Sequence, residues 1–334
     1  MLLATLMLLQ AAPAVQEAPT AQVQAVVETE AVASLEDAAD DPAIWRNARD
    51  PKRSLIVATD KKAGLNVYDL SGKLRSSLPA GRVNNVDLRS WGGQVIVGAS
   101  DRNDKANGKI ALYALDSGAA TLTEIGRFDS GAGEAYGFCM YAPRGGKLYG
   151  FVVYKSGMIA QMEILRQGGK ITADRVRTMK LGTQSEGCVV DDRTGTLFVG
   201  EEDVGVWRFG ANPKDPVAGE KVIAVDRQRL FDDVEGVAIA AEGARGGYLV
   251  VSSQGDSAYG LWRLPDLAYA GRFRITAGKF GATSETDGIE VSTAGFGPGL
   301  QGGLMLAQDG DNAPAAQNFK LVRWADVRKA LRLK

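Results

Sequence analysis

One short pattern returns six times along this chain: a polar or acidic residue, usually a glycine beside it, then a brief apolar run. It reads Asp41-Pro42-Ala43-Ile44, Asn85-Val86-Asp87-Leu88, Tyr136-Gly137-Phe138, Glu186-Gly187-Cys188-Val189, Glu235-Gly236-Val237-Ala238 and Asp287-Gly288-Ile289-Glu290. Successive first positions lie 44, 51, 50, 49 and 52 residues apart. A period near fifty marks a repeat architecture, in which each unit buries its apolar face only against its neighbours.

Each copy is followed by the same events. A second apolar run ends in polar residues at 55–60, 95–101, 148–155, 197–203, 248–254 and 304–309. A third, often closing on an aromatic residue, follows at 65–68, 110–113, 158–162, 204–207, 260–262 and 320–324. The runs are short, β-branched or aromatic, and bounded by Gly, Asp and Asn, as strands and hairpins are. The 41 glycines against 11 prolines agree, because tight turns draw on residues that reach positive φ freely. Four strands per fifty residues is one propeller blade. The expectation is therefore all-β: a six-bladed β-propeller of four-stranded blades, forming one domain over 15–334. The alternating stretch 22–34 is expected to supply the outermost strand of the last blade and so close the ring. Two stacked β-domains are the competing architecture, but they give no reason for an unbroken period. Only 324–333 reads as a short amphipathic helix.

Charge narrows the function. Lys plus Arg (39) and Asp plus Glu (40) nearly cancel, so no global field argues for nucleic acid or an anionic membrane as partner. There is no histidine, which removes Ser-His-Asp hydrolases, histidine phosphatases and His-ligated zinc sites. Residues 2–9 are apolar and are followed by Ala12-Pro13-Ala14. Although no basic residue precedes them, 1–14 read as a signal peptide, which makes the protein secreted or periplasmic. A monomer acting on a small molecule is expected. Cys139 and Cys188 form no CxxC motif, and two buried thiols are preferred over a disulfide.

In a propeller the inner strands surround a central channel, so equivalent positions of different blades converge. The repeat brings Asp37, Asp40, Asp41, Glu186, Asp233, Glu235 and Asp287 to one end of those strands. The second-strand ends add Asp60, Asp101, Glu201, Glu202, Asp203, Gln254 and Asp309. Unit charges ~4 Å apart repel by about 4 kcal/mol even at an effective dielectric near 20. Protons or cations must therefore neutralise the group. All-oxygen ligands favour Ca²⁺ over zinc or copper, with Mg²⁺ and Mn²⁺ also open. The bland alternative, turn residues, explains one Asp-Gly but not Glu186, Glu201, Glu202 and Glu235, since Glu has no special turn role. Lys61, Lys62, Arg102 and Lys155, with Tyr136 nearby, flank the acids. Their bland reading is charge balance on solvated loops; beside a metal cluster they make a bed for phosphate.

At these residues the chain resembles the β-propeller phytases. The matching runs are DAADDPAIW (37–45), DKKAGLNVYDL (60–70), NNVDLR (84–89), AYGFCMY (135–141), EGCVVDD with GEEDVGVW (186–207), DVEGVAI with SSQG (233–255), TDGIEV (286–291) and AQDGDN with QNFKLVRW (307–324). The resemblance implies several calcium ions on Glu28, Asp40, Glu186, Glu202, Asp233, Glu235, Gln254 and Asp287, with Asp37, Asp41, Asp309 and Asp311 as further metal candidates. It implies substrate phosphates on Lys61, Lys62, Arg102, Tyr136, Lys155 and Asn84, and phytate, the hexakisphosphate of myo-inositol, as substrate in its calcium complex. Asp60 and Asp101 depart from the Asn of relatives, and Gly281 falls where a peripheral calcium ligand is expected. A metal-activated water would attack phosphorus in line, with Lys61 and Arg102 neutralising charge, Glu202 orienting the water and Asp287 helping to protonate the leaving group. The rivals are a lactonase-like calcium propeller, which needs no basic cluster, and a calcium-stabilised binding propeller, whose acids would lie in separate loops.

Overall fold

A computed structural model describes residues 16–333. The expected signal peptide at 1–14 lies outside the described residues. Six sheets form, four of them chain-ordered antiparallel meanders and two, the last in the chain, meanders with an N-terminal strand on the outer edge. Blade 1 runs Ala39–Trp45, Leu55–Asp60, Gly64–Asp69, Leu74–Pro79. Blade 2 runs Val83–Trp91, Gln94–Asp101, Asn107–Asp116, Thr121–Ala132, and blade 3 runs Ala135–Tyr141, Leu148–Tyr154, Met158–Gln167, Lys170–Lys180. Blade 4 is Ser185–Asp191, Thr196–Glu201, Gly205–Gly210, Glu220–Ala224, and blade 5 is Val234–Glu242, Gly246–Ser253, Ala258–Leu264, Tyr269–Thr276. Blade 6 is Ile289–Ser292, Leu304–Asp309, Asn318–Arg323 with Val27–Glu28 on its outer edge. The first strands of the blades touch one another in cyclic order, so they line the axis.

Strand alternation explains why the ring holds. Successive side chains of a strand point to opposite faces, and each face of a blade meets a different neighbour. Val97 and Ala99 pack with Val57 and Val67 of blade 1, whereas Ile96 packs with Phe138 and Met140 of blade 3. The apolar core is accordingly six clusters, one between each pair of neighbours, including blades 6 and 1, where Leu306 and Phe319 meet Ile56 and Tyr68.

The closing segment divides in two. Val27–Glu28 completes blade 6 by pairing with Leu321 and Lys320, as expected. Thr20–Gln24 instead adds a fifth strand, parallel, to the outer edge of blade 5. The N-terminal segment thus spans the two last blades and covers both edges. Cys139 and Cys188 form a disulfide between the inner strands of blades 3 and 4, which corrects the expectation of free thiols. The period places both cysteines at near-equivalent inner-strand positions, so their side chains meet across one interblade cluster. The terminal helix spans Trp324–Ala330 and buries Trp324 and Val327 between blades 5 and 6. Among the described residues no helix is long and apolar enough to cross a membrane.

Candidate functional site

The repeat motif acquires a physical meaning at the axis. In five of the six inner strands the pairing register slips at the motif: between Ala39 and Pro42, Val83 and Val86, Ala135 and Gly137, Ser185 and Cys188, and Val234 and Val237. Such a bulge bends the strand and re-aims a side chain. The glycine after the acid serves the next blade. A Cβ on Gly187 would stand 2.1 Å from the Glu235 carbonyl oxygen, and one on Gly236 would stand 2.6 Å from that of Asp287. Only glycine lets neighbouring inner strands approach so closely, and Gly236 N–H donates to Asp287 O at 2.8 Å across that contact.

At this end of the axis lies a cavity of about 830 Å³ lined by Asp37, Lys61, Tyr136, Gln184, Glu202, Asp233, Glu235, Gln254, Asp287 and Asp311, among others. Carboxylate oxygens of Glu186, Glu202 and Glu235, all buried, lie within 4.8 Å of one another. Burial pushes Glu186 and Glu235 well above the usual carboxylate range; the charges of Asp40 and Asp287 push Glu186 further, and that of Glu186 pushes Glu235 further. Burial and then Asp233 raise Glu202, against a hydrogen bond from Gln184. Two buried oxygens, Glu202 Oε1 and Glu235 Oε2, have no hydrogen-bond partner. An orphaned buried acceptor costs about 1–3 kcal/mol, more when charged, and a hard cation would satisfy both. The donors are all oxygen, so they suit calcium. Asp233 sits beside them with φ 61°, a left-handed conformation that a non-glycine residue adopts at an energetic cost.

A second group lies across the seam between blades 6 and 1. Lys61 Nζ reaches Asp37 at 2.6 Å, Asp287 at 2.9 Å and Asp40 at 3.1 Å. Burial opposes its charge, yet Asp40, Asp287 and Asp37 hold the ammonium well above its ordinary value. Asp287 Oδ1 accepts from Gln254 Nε2 while Oδ2 accepts from Lys61. Asp287 thus uses both oxygens as acceptors, with Gln254 and Lys61 as donors, while burial lifts its carboxyl to about 8. Asn84 is fully buried and does not line the cavity. Its Nδ2 donates to Glu186 Oε1 at 2.6 Å and Asp40 Oδ2 at 3.0 Å, so it links the two acid groups rather than meeting a substrate.

On the wall opposite the seam, Tyr136 carries two cations over its ring, Lys155 at 5.1 Å and Arg102 at 5.4 Å from the centroid. Glu186, together with burial, keeps the Tyr136 hydroxyl far above the usual phenol range. Arg102 and Lys105 share Glu134, at 3.4 and 3.0 Å.

Other expected site residues fall elsewhere. Lys62 turns outward to Leu35 O and Glu36. Asp41 belongs to a separate cavity of about 250 Å³, lined by Asn85, Asp87, Arg89 and Glu290, where its Oδ2 accepts the Val86 N–H. One further residue along a bulged strand faces the other end of the channel. Glu28 and Asp309 are held by the fully buried Lys320, whose Nζ lies 2.6 Å from Glu28, 3.2 Å from Asp309 and 3.1 Å from Asn312 Oδ1. The peripheral oxygen cage thus contains the chain's own ammonium, and Gly281 adds no ligand to it. Asp60, Asp101 and Glu201 are consumed in turn and ion-pair contacts with Ser34, Arg127 and Trp207. Sequence reading missed Gln184 and Gln308, both lining the main cavity; Gln308 stands in the AQDGDN run, next to Asp309.

A phytase family matches residues 1–334. A 3-phytase of Bacillus subtilis (strain 168) is 38% identical over 315 residues, covering 90% of this chain and 82% of that protein. Six blades, a carboxylate cluster on their axis and a match along the whole length converge: the chain belongs to the phytase family.

Proposed function

We propose that this chain hydrolyses the phosphate monoesters of phytate in the 830 Å³ cavity, with calcium ions held by Glu186, Glu202, Glu235, Asp233, Gln254, Asp287 and Asp40. The observation that carries this is the pairing of orphaned buried carboxylate oxygens on one wall with Arg102, Lys155 and Tyr136 on the next. Bound calcium supplies charge neutralisation and an acidified water.

The chain's own groups do the rest. Glu202 orients the attacking water and assists its loss of a proton. Lys61 holds a phosphate oxygen by releasing Asp37, whose side chain is 73% exposed and is its least confined partner. Arg102 binds an equatorial oxygen bidentately. Lys155, at the exposed rim beside Tyr136, takes a second phosphate of the same molecule, which raises its effective concentration at the site. The reaction transfers phosphoryl to water: the P–O(inositol) bond breaks, a P–O(water) bond forms, and the inositol oxygen takes up a proton as it leaves.

An export route fits the apolar segment 2–9 and the Cys139–Cys188 bond, which persists in oxidising compartments. Phosphate release from phytate, followed with added calcium and in excess chelator, tests the assignment. Calcium-dependent release is expected; release undiminished by chelator removes calcium from the reaction, and no release removes phytate.

A further inference from the structure

Gln308 is fully buried on the second strand of blade 6, one residue before Asp309. Its Oε1 accepts the Asp287 N–H at 2.9 Å, and its Nε2 donates to the carbonyl of Ala39, the residue before Asp40, at 3.2 Å. One amide therefore grips the backbone at two of the three carboxylates that share Lys61, the two that are least exposed. These two acids meet across the seam between the last blade and the first, where no strand connects them.

Equivalent seams elsewhere use shorter side chains. Ser100 of blade 2 accepts the Asn85 N–H at 3.1 Å and donates to Tyr136 O of blade 3. Ser252 of blade 5 donates to Thr286 O of blade 6. The blade 6 to blade 1 seam is already bridged by a backbone bond, Gly288 N–H to Asp40 O at 2.9 Å, and by Gln317 Oε1, which accepts the Ala38 and Ala39 N–H groups at 2.7 and 2.9 Å. The Gln308 side chain is therefore surplus to closing the ring. Its particular contribution is the aim of Asp287 relative to Asp40. The position requires one acceptor and one donor, which a carboxamide supplies and an ionised carboxylate does not.

We propose that Gln308 is a positioning residue for phytate hydrolysis: it fixes the separation of Asp287 and Asp40 so that Lys61 and the adjoining carboxylates keep a productive geometry. This rests on the reading of the site given above. Misplacement of a reacting group by about 1 Å costs up to about 100-fold in rate.

The test uses Gln308→Met, which keeps bulk without polar groups, and Gln308→Glu, with Lys61→Met as control. Steady-state kinetics on phytate are measured together with melting temperature across a calcium titration. Gln308→Met is expected to lower kcat about 10- to 100-fold with KM changed by less than threefold, and to raise the calcium concentration that half-stabilises the fold. For Gln308→Glu, kcat relative to the unmodified protein is expected to climb as pH falls, because the protonated acid again offers a donor and an acceptor. Unchanged kcat in Gln308→Met, or a lowered melting temperature with a pH-independent activity ratio in Gln308→Glu, overturns the proposal. If Lys61→Met is fully active, the site reading itself fails; if Lys61→Met is inactive while Gln308→Met is not impaired, only the role of Gln308 fails.

Discussion

Replacing Lys61 by Met removes the one cation that the structure places between three carboxylates. The contact with Asp37 contributes little, because that side chain is 73% exposed and solvent screens it. Asp40 and Asp287 are different: their side chains are 2% and 14% exposed, and losing the ammonium leaves them facing each other. Removing one partner of a buried ion pair costs about 3–5 kcal/mol. For a 334-residue chain, an unfolding entropy of about 2.1 cal/mol/K per residue converts this to a fall of roughly 4–7 °C in melting temperature. Burial already drives the Asp287 carboxyl up to about 8, with Lys61 holding it down and Asp40 pushing it up. Without Lys61 it binds a proton still more readily, so the loss should be smaller at pH 5 than at pH 8. Differential scanning fluorimetry in chelator, at both pH values, measures it, with Asp37→Asn as a control expected to shift by less than about 1 °C. A Lys61→Met melting temperature equal to that of the unmodified protein in chelator at pH 8 would refute the reasoning, as would an equal loss in Asp37→Asn.

Metal-free protein should lose stability as pH rises from about 4.5 towards 8 and beyond. Burial raises the folded pKa of Glu186, Glu235 and Asp287 above the unfolded values, so the folded state binds more protons and rising pH favours unfolding; calcium should flatten this dependence, and parallel melts with calcium and with chelator check it. Lys320→Met should destabilise the fold by about 3–5 kcal/mol, since it strands Glu28 and Asp309; if the peripheral cage is served by the ammonium alone, the unmodified protein binds no calcium there, and diffraction from calcium-soaked crystals showing an ion between Glu28 and Asp309 would contradict it. Converting Cys139 and Cys188 to Ser should cost about 4 kcal/mol from the 49-residue separation, read as a lower denaturant midpoint with phytate KM unchanged.

Much of the site was legible in the chain because the repeat is also the coordinate system of the fold. Once Asp41, Asn85, Tyr136, Glu186, Glu235 and Asp287 are recognised as one position in six blades, their convergence on an axis follows without any structure. Glu186, Glu202 and Glu235 duly meet. What the period does not encode is direction at the scale of one residue. Asp40 and Asp41 are adjacent, yet a bulge sends one to Lys61 beside the main cavity and the other to the opposite cavity. Nor does it show which acid already owns a cation. Asp309 and Glu28 read as metal ligands, and only the fold shows that Lys320, on a strand placed by register, lies between them.

The sequence alone determined six blades, all-β strands, the absence of histidine chemistry and the need for cations near clustered carboxylates, because periodicity and composition act locally and repeat. Tertiary structure decided the splitting of the closing segment between blades 5 and 6, the Cys139–Cys188 bond, and the division of acids among Lys61, Lys320 and the buried Glu186, Glu202 and Glu235 group. Those outcomes depend on distances of a few ångströms between residues hundreds of positions apart, set by strand register and ring closure, to which no local pattern in the chain is sensitive.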